Sequence, residues 1–149
     1  MNKSIKLVCF VLVVSLISLS CKNNNANKNK IAINSSASQT TQQITGKISV
    51  LTPAEFKEKA QNNPIIDVRT PFEYSQGYIK GSKNINFFDK DFLNEIASYN
   101  KNEPIYVYCK SGHRSGIAVK KMIQLGFKDV YELQGGIINW VRSNNKIEK

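Results

Sequence analysis

Cys109 is the residue whose type and setting best suit chemistry in this 149-residue chain. It follows residues 105–108, an apolar and aromatic run with β-branched members that predicts a strand. A short polar segment and then apolar residues at near-helical spacing come after it, so Cys109 is predicted at a strand-to-helix turn. The first N–H groups of a helix lack acceptors and carry the positive end of the helix dipole, which favours an anion such as a thiolate. We therefore expect a reactive thiol whose pKa is lowered from about 8.5 toward or below neutrality.

The residues around this cysteine resemble a known family. Residues 109–114, Cys-Lys-Ser-Gly-His-Arg, are similar to the active-site loop of the rhodanese-like sulfurtransferases, whose cysteine carries sulfur as a persulfide. Residues 65–74 and 77–82 are similar to the first signature of that family, and residues 134–136 together with Trp140 are similar to its last. The three pieces occur in the family's order.

The resemblance implies a rhodanese-like α/β domain over residues 47–149 and a reaction that passes through a persulfide on Cys109. Sulfane sulfur would move from a small anionic donor such as thiosulfate to a thiophilic acceptor such as cyanide or a thiol. The residues implied to bind the substrate or the persulfide are Lys110, Ser111, Gly112, His113, Arg114 and Ser115.

Several of these loop residues have a role that their chemistry suggests. Backbone N–H groups of residues 110–115 converge on sulfur if the loop curls around Cys109, and Gly112 permits a backbone conformation that larger residues avoid. Lys110 is expected either to attract an anionic donor or to be a solvated loop lysine. Arg114 is expected to pair with a carboxylate or to contact the donor.

The remaining polar side chains of the loop leave alternatives open. Ser111 and Ser115 are expected to donate hydroxyl groups to the persulfide, to cap the following helix, or to do both. His113, the single histidine of the chain, is not expected to act as a base, because a thiol with a lowered pKa needs none. One histidine and one thiol cannot fill the first coordination shell of a metal, so neither a metal nor a cofactor is expected.

An acidic residue, Asp67, interrupts the apolar run 65–68 upstream of the loop. A buried carboxylate is costly unless it is hydrogen-bonded to backbone or paired with a cation. Arg69 is the nearest candidate cation in the sequence. The two residues are predicted to support the site.

Patterns typical of strands and helices alternate along residues 47–149. Residues 52–55, Thr-Pro-Ala-Glu, have the capping-box arrangement that begins a helix. The predicted strands are 48–51, 65–68, 85–87, 105–108 and 130–131, and the predicted helices are 53–60, 70–77, 91–99, one that ends at 125, and 137–142. This alternation predicts an α/β fold with a mainly parallel five-stranded sheet and helices on both faces. In such sheets the site lies beyond the carboxyl ends of the strands, where Cys109 falls.

Residues 1–21 are typical of an export signal. Two lysines precede residues 7–19, an apolar run of thirteen residues, which is shorter than the about 20 residues of a membrane span. Cys21 follows Ser-Leu-Ser, which resembles the lipobox of bacterial lipoproteins, with serine where that motif usually has leucine. We expect export to the cell envelope and a lipid anchor on Cys21, facing the periplasm. Ordinary cleavage near Ser20 and an uncleaved anchor are the alternatives.

Residues 22–46 are rich in Asn, Lys, Ser, Thr and Gln and contain few apolar side chains. Such a composition buries too little surface to offset the entropy of ordering the chain. A flexible polar tether between the anchor and the domain is predicted.

The net charge of +10 is unevenly distributed. Six of the 21 basic residues precede residue 48, so 15 basic residues face all 11 acidic residues in 48–149, a net charge of +4. This modest excess attracts small anions but is no nucleic-acid footprint by itself, and no nucleic-acid-binding motif accompanies it. We expect no nucleic-acid partner and a monomeric domain.

The cysteine count bears on the same site. Of the three cysteines, Cys9 lies in the signal and Cys21 is the predicted lipidation site. Cys109 is then the single free thiol of the mature chain, which argues against an internal dithiol mechanism. An inert buried cysteine is the alternative, but a position between a strand and a polar turn argues against burial.

Two other functions compete with sulfur transfer. Low-molecular-weight and dual-specificity tyrosine phosphatases place five residues between cysteine and arginine, whereas four separate Cys109 from Arg114 here. The shorter loop makes a smaller cradle, which suits sulfur better than phosphate. A protein-interaction or sulfur-carrier module without turnover is the second alternative, and the presence of the cysteine with its loop favours a sulfur-carrying role.

Overall fold

The computed structural model describes residues 45–149 of the chain. The predicted signal, Cys21 and the predicted tether up to residue 44 lie outside the described residues, so export and lipidation stay predictions. Between residues 45 and 149 no helix is long and apolar enough to cross a membrane.

Strands and helices alternate along the described residues. The strands are β1 (Lys47–Leu51), β2 (Ile65–Asp67), β3 (Ser82–Asn84), β4 (Ile105–Tyr108) and β5 (Asp129–Leu133). The helices are α1 (Pro53–Lys59), α2 (Pro71–Ser75), α3 (Phe92–Ala97), α4 (His113–Gln124) and α5 (Gly136–Arg142).

The five strands form one parallel sheet in the order β1-β5-β4-β2-β3. Helices cover both of its faces, since α3 and α4 contribute to one apolar cluster and α1 and α5 to another. The predicted α/β class and five-stranded parallel sheet are therefore confirmed. A sheet buried on both faces accounts for the nearly continuous apolar sequence of β4.

The central strand β4 divides its side chains between these two layers. Ile105, Val107 and the following Cys109 belong to the cluster with α3 and α4, whereas Tyr106 and Tyr108 belong to the cluster with α1 and α5. This is the two-residue alternation of an extended strand. It turns the thiol toward α4.

Two of the helices begin with capping boxes. The Glu55 N–H donates to the Thr52 hydroxyl at 3.4 Å, and the Thr52 N–H donates back to the Glu55 carboxylate at 2.9 Å. Thr70 and Glu73 repeat the arrangement at the start of α2. Both helix starts occur where the sequence predicts them.

The third strand lies three residues earlier than predicted. Apolar residues 85–87 predict a strand, but β3 is the polar segment Ser82–Asn84 at the edge of the sheet. Ile85 is buried in the core below α3 and α4, and its N–H donates to the Asp67 carbonyl at 3.0 Å after the ladder has ended. An edge strand does not need an apolar sequence. The apolar residues from Ile85 therefore indicate packing into the core and not the position of the strand. The other predicted elements overlap the observed ones, with ends that differ by a few residues.

The carboxyl ends of the three inner strands lie side by side. Asp67 of β2 is in register with Tyr108 of β4, and Val107 of β4 is in register with Glu132 of β5. Residues that follow these strands therefore meet at one edge of the sheet, at the position of Cys109.

Candidate active site

Cys109 follows β4 directly and lies beneath the loop that leads to α4. Its Sγ accepts hydrogen bonds from the Gly112 N–H at 3.2 Å and from the Ser115 hydroxyl at 3.5 Å. The residue is 1% exposed, so the expectation that it is not buried is wrong. The loop backbone and Ser115 surround the sulfur and take the place of solvent as its hydrogen-bond donors.

Two opposing effects act on the pKa of the Cys109 thiol. Burial raises the pKa, while the Ser115 hydroxyl and the backbone N–H groups of Ser115, Ser111 and Gly112 lower it. The lowering effects are larger in sum, and the pKa lies below the ordinary value of a thiol. The predicted direction of the shift is confirmed. A larger thiolate fraction near neutral pH follows, and the thiolate is the nucleophilic form.

Gly112 and Ser115 shape the start of α4. Gly112 precedes the helix with φ +103°, a conformation that side chains with a Cβ rarely adopt, which confirms the predicted need for glycine. The Ser115 hydroxyl lies near three acceptors: Cys109 Sγ, the Gly112 carbonyl at 3.1 Å and the Glu132 carboxylate at 2.6 Å. The alternative that Ser111 or Ser115 caps α4 is wrong, because Gly112 holds the cap position and no side chain bonds there.

The start of α5 holds the other side of the loop. The Ile137 N–H donates to the Cys109 carbonyl at 2.9 Å, and the Ile138 N–H donates to the Lys110 carbonyl at 3.2 Å. Gly136 has φ +60°, and a Cβ there would lie 2.7 Å from the Lys110 carbonyl carbon and oxygen and closer still to the Cys109 carbonyl oxygen. Only glycine lets α5 approach the loop this closely. The fixed carbonyls orient the peptide planes that carry the loop N–H groups.

Arg114 ends the loop in a two-point ion pair with Glu73 of α2. Its Nη1 donates to Glu73 Oε2 at 2.6 Å, and its Nη2 donates to Oε1 at 2.7 Å. These hydrogen bonds lower the pKa of Glu73 to about 2, against an opposing effect of burial. The hydrogen bonds to Glu73 and the nearby Cys109 also raise the pKa of Arg114, so its positive charge is secure beside the thiol. Of the two predicted roles for Arg114, carboxylate pairing is the one observed.

The predicted pairing of Asp67 with Arg69 is confirmed. Both residues are buried, and the Arg69 Nε donates to both Asp67 oxygens at 3.0 and 2.9 Å. Arg69 also donates to the carbonyls of Glu73 at 3.0 Å and Gly77 at 2.7 Å. The pair therefore connects the end of β2 to the middle of α2 and to the segment just after that helix, and so positions the carboxylate that Arg114 binds.

The remaining loop side chains form the outer surface of the site. Lys110, Ser111 and His113 are exposed. Among residues 45–149, no three His, Cys, Asp or Glu side chains lie together in a metal-binding group.

Sequence reasoning missed three residues of this site. Glu73 and Gly136 were noted only as parts of the family's first and last signatures, and Glu132 was not singled out. The sequence did carry two signals: a doubled glycine before a helix, and a carboxylate two residues after Val130, on the same face of an apolar strand.

Known proteins share both the sequence and the fold of the described domain. The family described as Rhodanese-like domain matches residues 52–143. A thiosulfate sulfurtransferase, GlpE of Pseudomonas paraeruginosa, is 33% identical over 91 residues, which cover 60% of this chain and 81% of GlpE. A tRNA uridine(34) hydroxylase of Pelagibacter ubique is 37% identical over 87 residues, which cover 56% of this chain and 28% of the hydroxylase.

The structural comparison agrees with the sequence comparison. The crystal structure of a rhodanese-related protein from Thermoplasma volcanium superposes with a TM-score of 0.60 and 27% identity, over 66% of this chain and 96% of that one. The matched family region contains the whole loop from Cys109 to Ser115 and its supports in α2 and α5. The chain belongs to the rhodanese-like domain family.

Proposed function

We propose that this protein is a sulfurtransferase in which Cys109 carries sulfur as a persulfide. The thiolate attacks the outer sulfur of an anionic donor such as thiosulfate, a bond forms between Sγ and that sulfur, and sulfite leaves with the electron pair of the broken S–S bond. A thiophilic acceptor such as cyanide or a thiol then takes the outer sulfur. The S–S bond of the persulfide breaks, its electron pair returns to Sγ, and the thiolate is restored.

The observation that carries this proposal is the set of donors around one buried sulfur. Gly112 N–H and the Ser115 hydroxyl bond Sγ, and the same loop lowers the pKa of the thiol despite burial. Fixed donors of this kind stabilise charge without reorganisation, and the loss of one typically costs about 10²- to 10³-fold in rate. Because Sγ is this enclosed, the site suits the transfer of a single sulfur atom better than the transfer of a tetrahedral phosphoryl group.

The relatives support the class of reaction. GlpE, of which 81% is covered, is a thiosulfate sulfurtransferase, and the proposal extends that activity to this chain. The match to the tRNA hydroxylase covers 28% of that protein, so hydroxylation is not part of the proposal.

Mass spectrometry of the full-length protein tests the persulfide. After incubation with thiosulfate, the peptide that contains Cys109 should gain the mass of one sulfur atom, and added cyanide should remove it with formation of thiocyanate. Cys109→Ser, which keeps the size of the side chain, should show neither event. An unmodified wild type that hydrolyses an aryl phosphate would replace the assignment with a phosphatase. Loading without repeated thiocyanate formation would indicate a sulfur carrier.

We further propose that the reaction takes place in the cell envelope, with the domain tethered to a membrane through lipidated Cys21. The support is the sequence of residues 1–21 and the polar segment 22–46. Labelling with a radioactive fatty acid should mark the wild type and leave Cys21→Ser unlabelled. Equal labelling of both, or a wild type found entirely in the cytoplasm, would remove this part of the proposal.

A further inference from the structure

Glu132 is a buried carboxylate that the proposed reaction does not use. It lies near the end of β5 and is 8% exposed. Like Val130 two residues earlier, it faces α4, where its Oε1 lies 2.6 Å from the Ser115 hydroxyl. Among the ion pairs of residues 45–149, none includes Glu132. A buried carboxylate without a paired cation is costly in its ionised form.

The Ser115 hydroxyl connects this carboxylate to the reactive sulfur. Its oxygen lies 2.6 Å from Glu132 Oε1, 3.1 Å from the Gly112 carbonyl and 3.5 Å from Cys109 Sγ. A serine hydroxyl has one proton to donate and lone pairs with which to accept. It can therefore donate to the sulfur, to the carboxylate or to the Gly112 carbonyl, but it cannot donate fully to more than one of them.

The protonation state of Glu132 decides whether the carboxylate receives the proton. An ionised Glu132 accepts the Ser115 proton in a short charge-assisted hydrogen bond, so Sγ loses that donor. A protonated Glu132 can donate to the Ser115 oxygen, which leaves the Ser115 proton free for Sγ or for the Gly112 carbonyl. Thiolate and protonated carboxyl therefore favour each other, as do thiol and carboxylate.

We propose that Glu132 is a positioning residue that shares one proton with Cys109 through the Ser115 hydroxyl. The proposal rests on the proposed function of Cys109 as the sulfur-carrying nucleophile. When the thiolate forms, the S–H proton passes to the Ser115 oxygen and the former hydroxyl proton passes to Glu132 Oε1. The electron pair of the S–H bond stays on sulfur, and the buried site keeps one negative charge before and after. No second charge has to be created in the interior.

The surroundings of Glu132 are compatible with this exchange. Its register partners are Val50 of β1 and Val107 of β4, neither of which titrates. Gly112 and Gly116 are the residues nearest its oxygens on the side of α4, where a Cβ at either position would be in ordinary van der Waals contact with them. As glycines, they place no side chain against the carboxylate. Among residues 45–149, Lys120 of α4 is the cation whose charge lowers the pKa of Glu132.

The pKa values of the two groups move toward each other. Burial raises the pKa of Glu132 above its ordinary value, although the hydrogen bond from Ser115 and the charge of Lys120 lower it. The pKa of Cys109 lies below its ordinary value. Groups whose protonation states interact by more than about one pK unit titrate as a coupled pair, and the Ser115 hydroxyl is the contact through which we expect these two to interact.

The test is the pH dependence of alkylation of Cys109 by iodoacetamide in the full-length protein, followed on the Cys109 peptide by mass spectrometry. In Glu132→Gln the neutral amide can donate to Ser115, which frees the hydroxyl proton for the thiolate. We expect the alkylation midpoint to fall by about one pH unit, as it does when a like charge is removed. Glu58→Gln, an exposed glutamate of α1, should leave the midpoint unchanged.

A double-mutant cycle with Ser115→Ala isolates the hydroxyl. In the Ser115→Ala background, Glu132→Gln should shift the midpoint by less than half as much as in the wild type. An unchanged midpoint in Glu132→Gln alone, or an equal shift in both backgrounds, would overturn the proposal. Alkylation needs no sulfur donor, so a failure of persulfide loading with an intact cycle would count against the proposed function and not against the shared proton.

Discussion

The contact between Gly136 and the active-site loop gives the sharpest prediction. In Gly136→Ala the new Cβ would lie 2.7 Å from the Lys110 carbonyl, where ordinary contact begins at 3.4 Å. The loop backbone would have to retreat by at least about 0.7 Å at Lys110, and by more at the Cys109 carbonyl, to which the Cβ would be closer still. Misplacement of a reacting group by about 1 Å can cost about 10²-fold in rate, so a loss of about 10- to 100-fold in persulfide loading is expected.

The chain offers a matched control for the backbone strain of this change. Gly81 has φ +76°, close to the φ +60° of Gly136, but a Cβ there would meet nothing within 4 Å. It precedes β3, at the amino edge of the parallel sheet. Both alanine variants should lose about 1–2 kcal/mol of unfolding free energy from the left-handed conformation, and Gly136→Ala should lose more because of the clash.

Stopped-flow measurement of thiosulfate consumption, together with urea unfolding, separates the two effects. Gly81→Ala should load sulfur at the wild-type rate. Gly136→Ala should fold cooperatively and load slowly, at a temperature where both variants are fully folded. Equal loading rates in the two folded variants would refute the argument that α5 positions the loop through this glycine.

Three further predictions concern the charged residues around the loop. Because Arg114 holds the pKa of Glu73 at about 2, below its ordinary 4.5, the pair stabilises the fold above about pH 4.5 and its contribution is lost between pH 4.5 and 2; urea unfolding of the wild type and Glu73→Gln should converge in that window, and parallel curves would contradict the pairing. Arg114→Lys keeps the charge but loses the two-point geometry, so loading by the folded protein should slow by about 10-fold; an unchanged rate would show that this geometry is unimportant for loading. Asp67→Ala leaves Arg69 as a buried unpaired cation and should cost about 3–5 kcal/mol of unfolding free energy; Asp67→Ala with Arg69→Met should recover part of it, and no recovery would count against the ion pair as the cause.

Local chemistry explains what could be predicted about the fold. Each of four elements depends on residues within a few positions of one another: the capping boxes at Thr52 and Thr70, the apolar strand β4 and the helix after the loop. The third strand could not be found in the same way. Its apolar signal, at Ile85, belongs to a core contact with distant helices, and the polar edge strand carries no signal of its own.

The sequence by itself determined the reactive residue and the donors nearest to it. Cys109, Gly112 and Ser115 lie within seven positions, so a strand followed by a helix start is enough to bring N–H and hydroxyl groups to the sulfur. The direction of the thiol pKa shift followed from that alone. The burial of Cys109 did not, because solvent exclusion depends on how the loop curls and on which elements pack around it.

Only the tertiary structure decided which distant groups complete the site. Arg114 meets Glu73 across 41 positions, Ser115 meets Glu132 across 17, and α5 returns to bind the carbonyl of Cys109. These contacts arise because parallel strands bring their carboxyl ends to one edge of the sheet, whatever the length of the connections between them. The spacing of residues along the chain is enough to predict the loop. The order of the strands in the sheet determines which carboxylates and which helix lie around it.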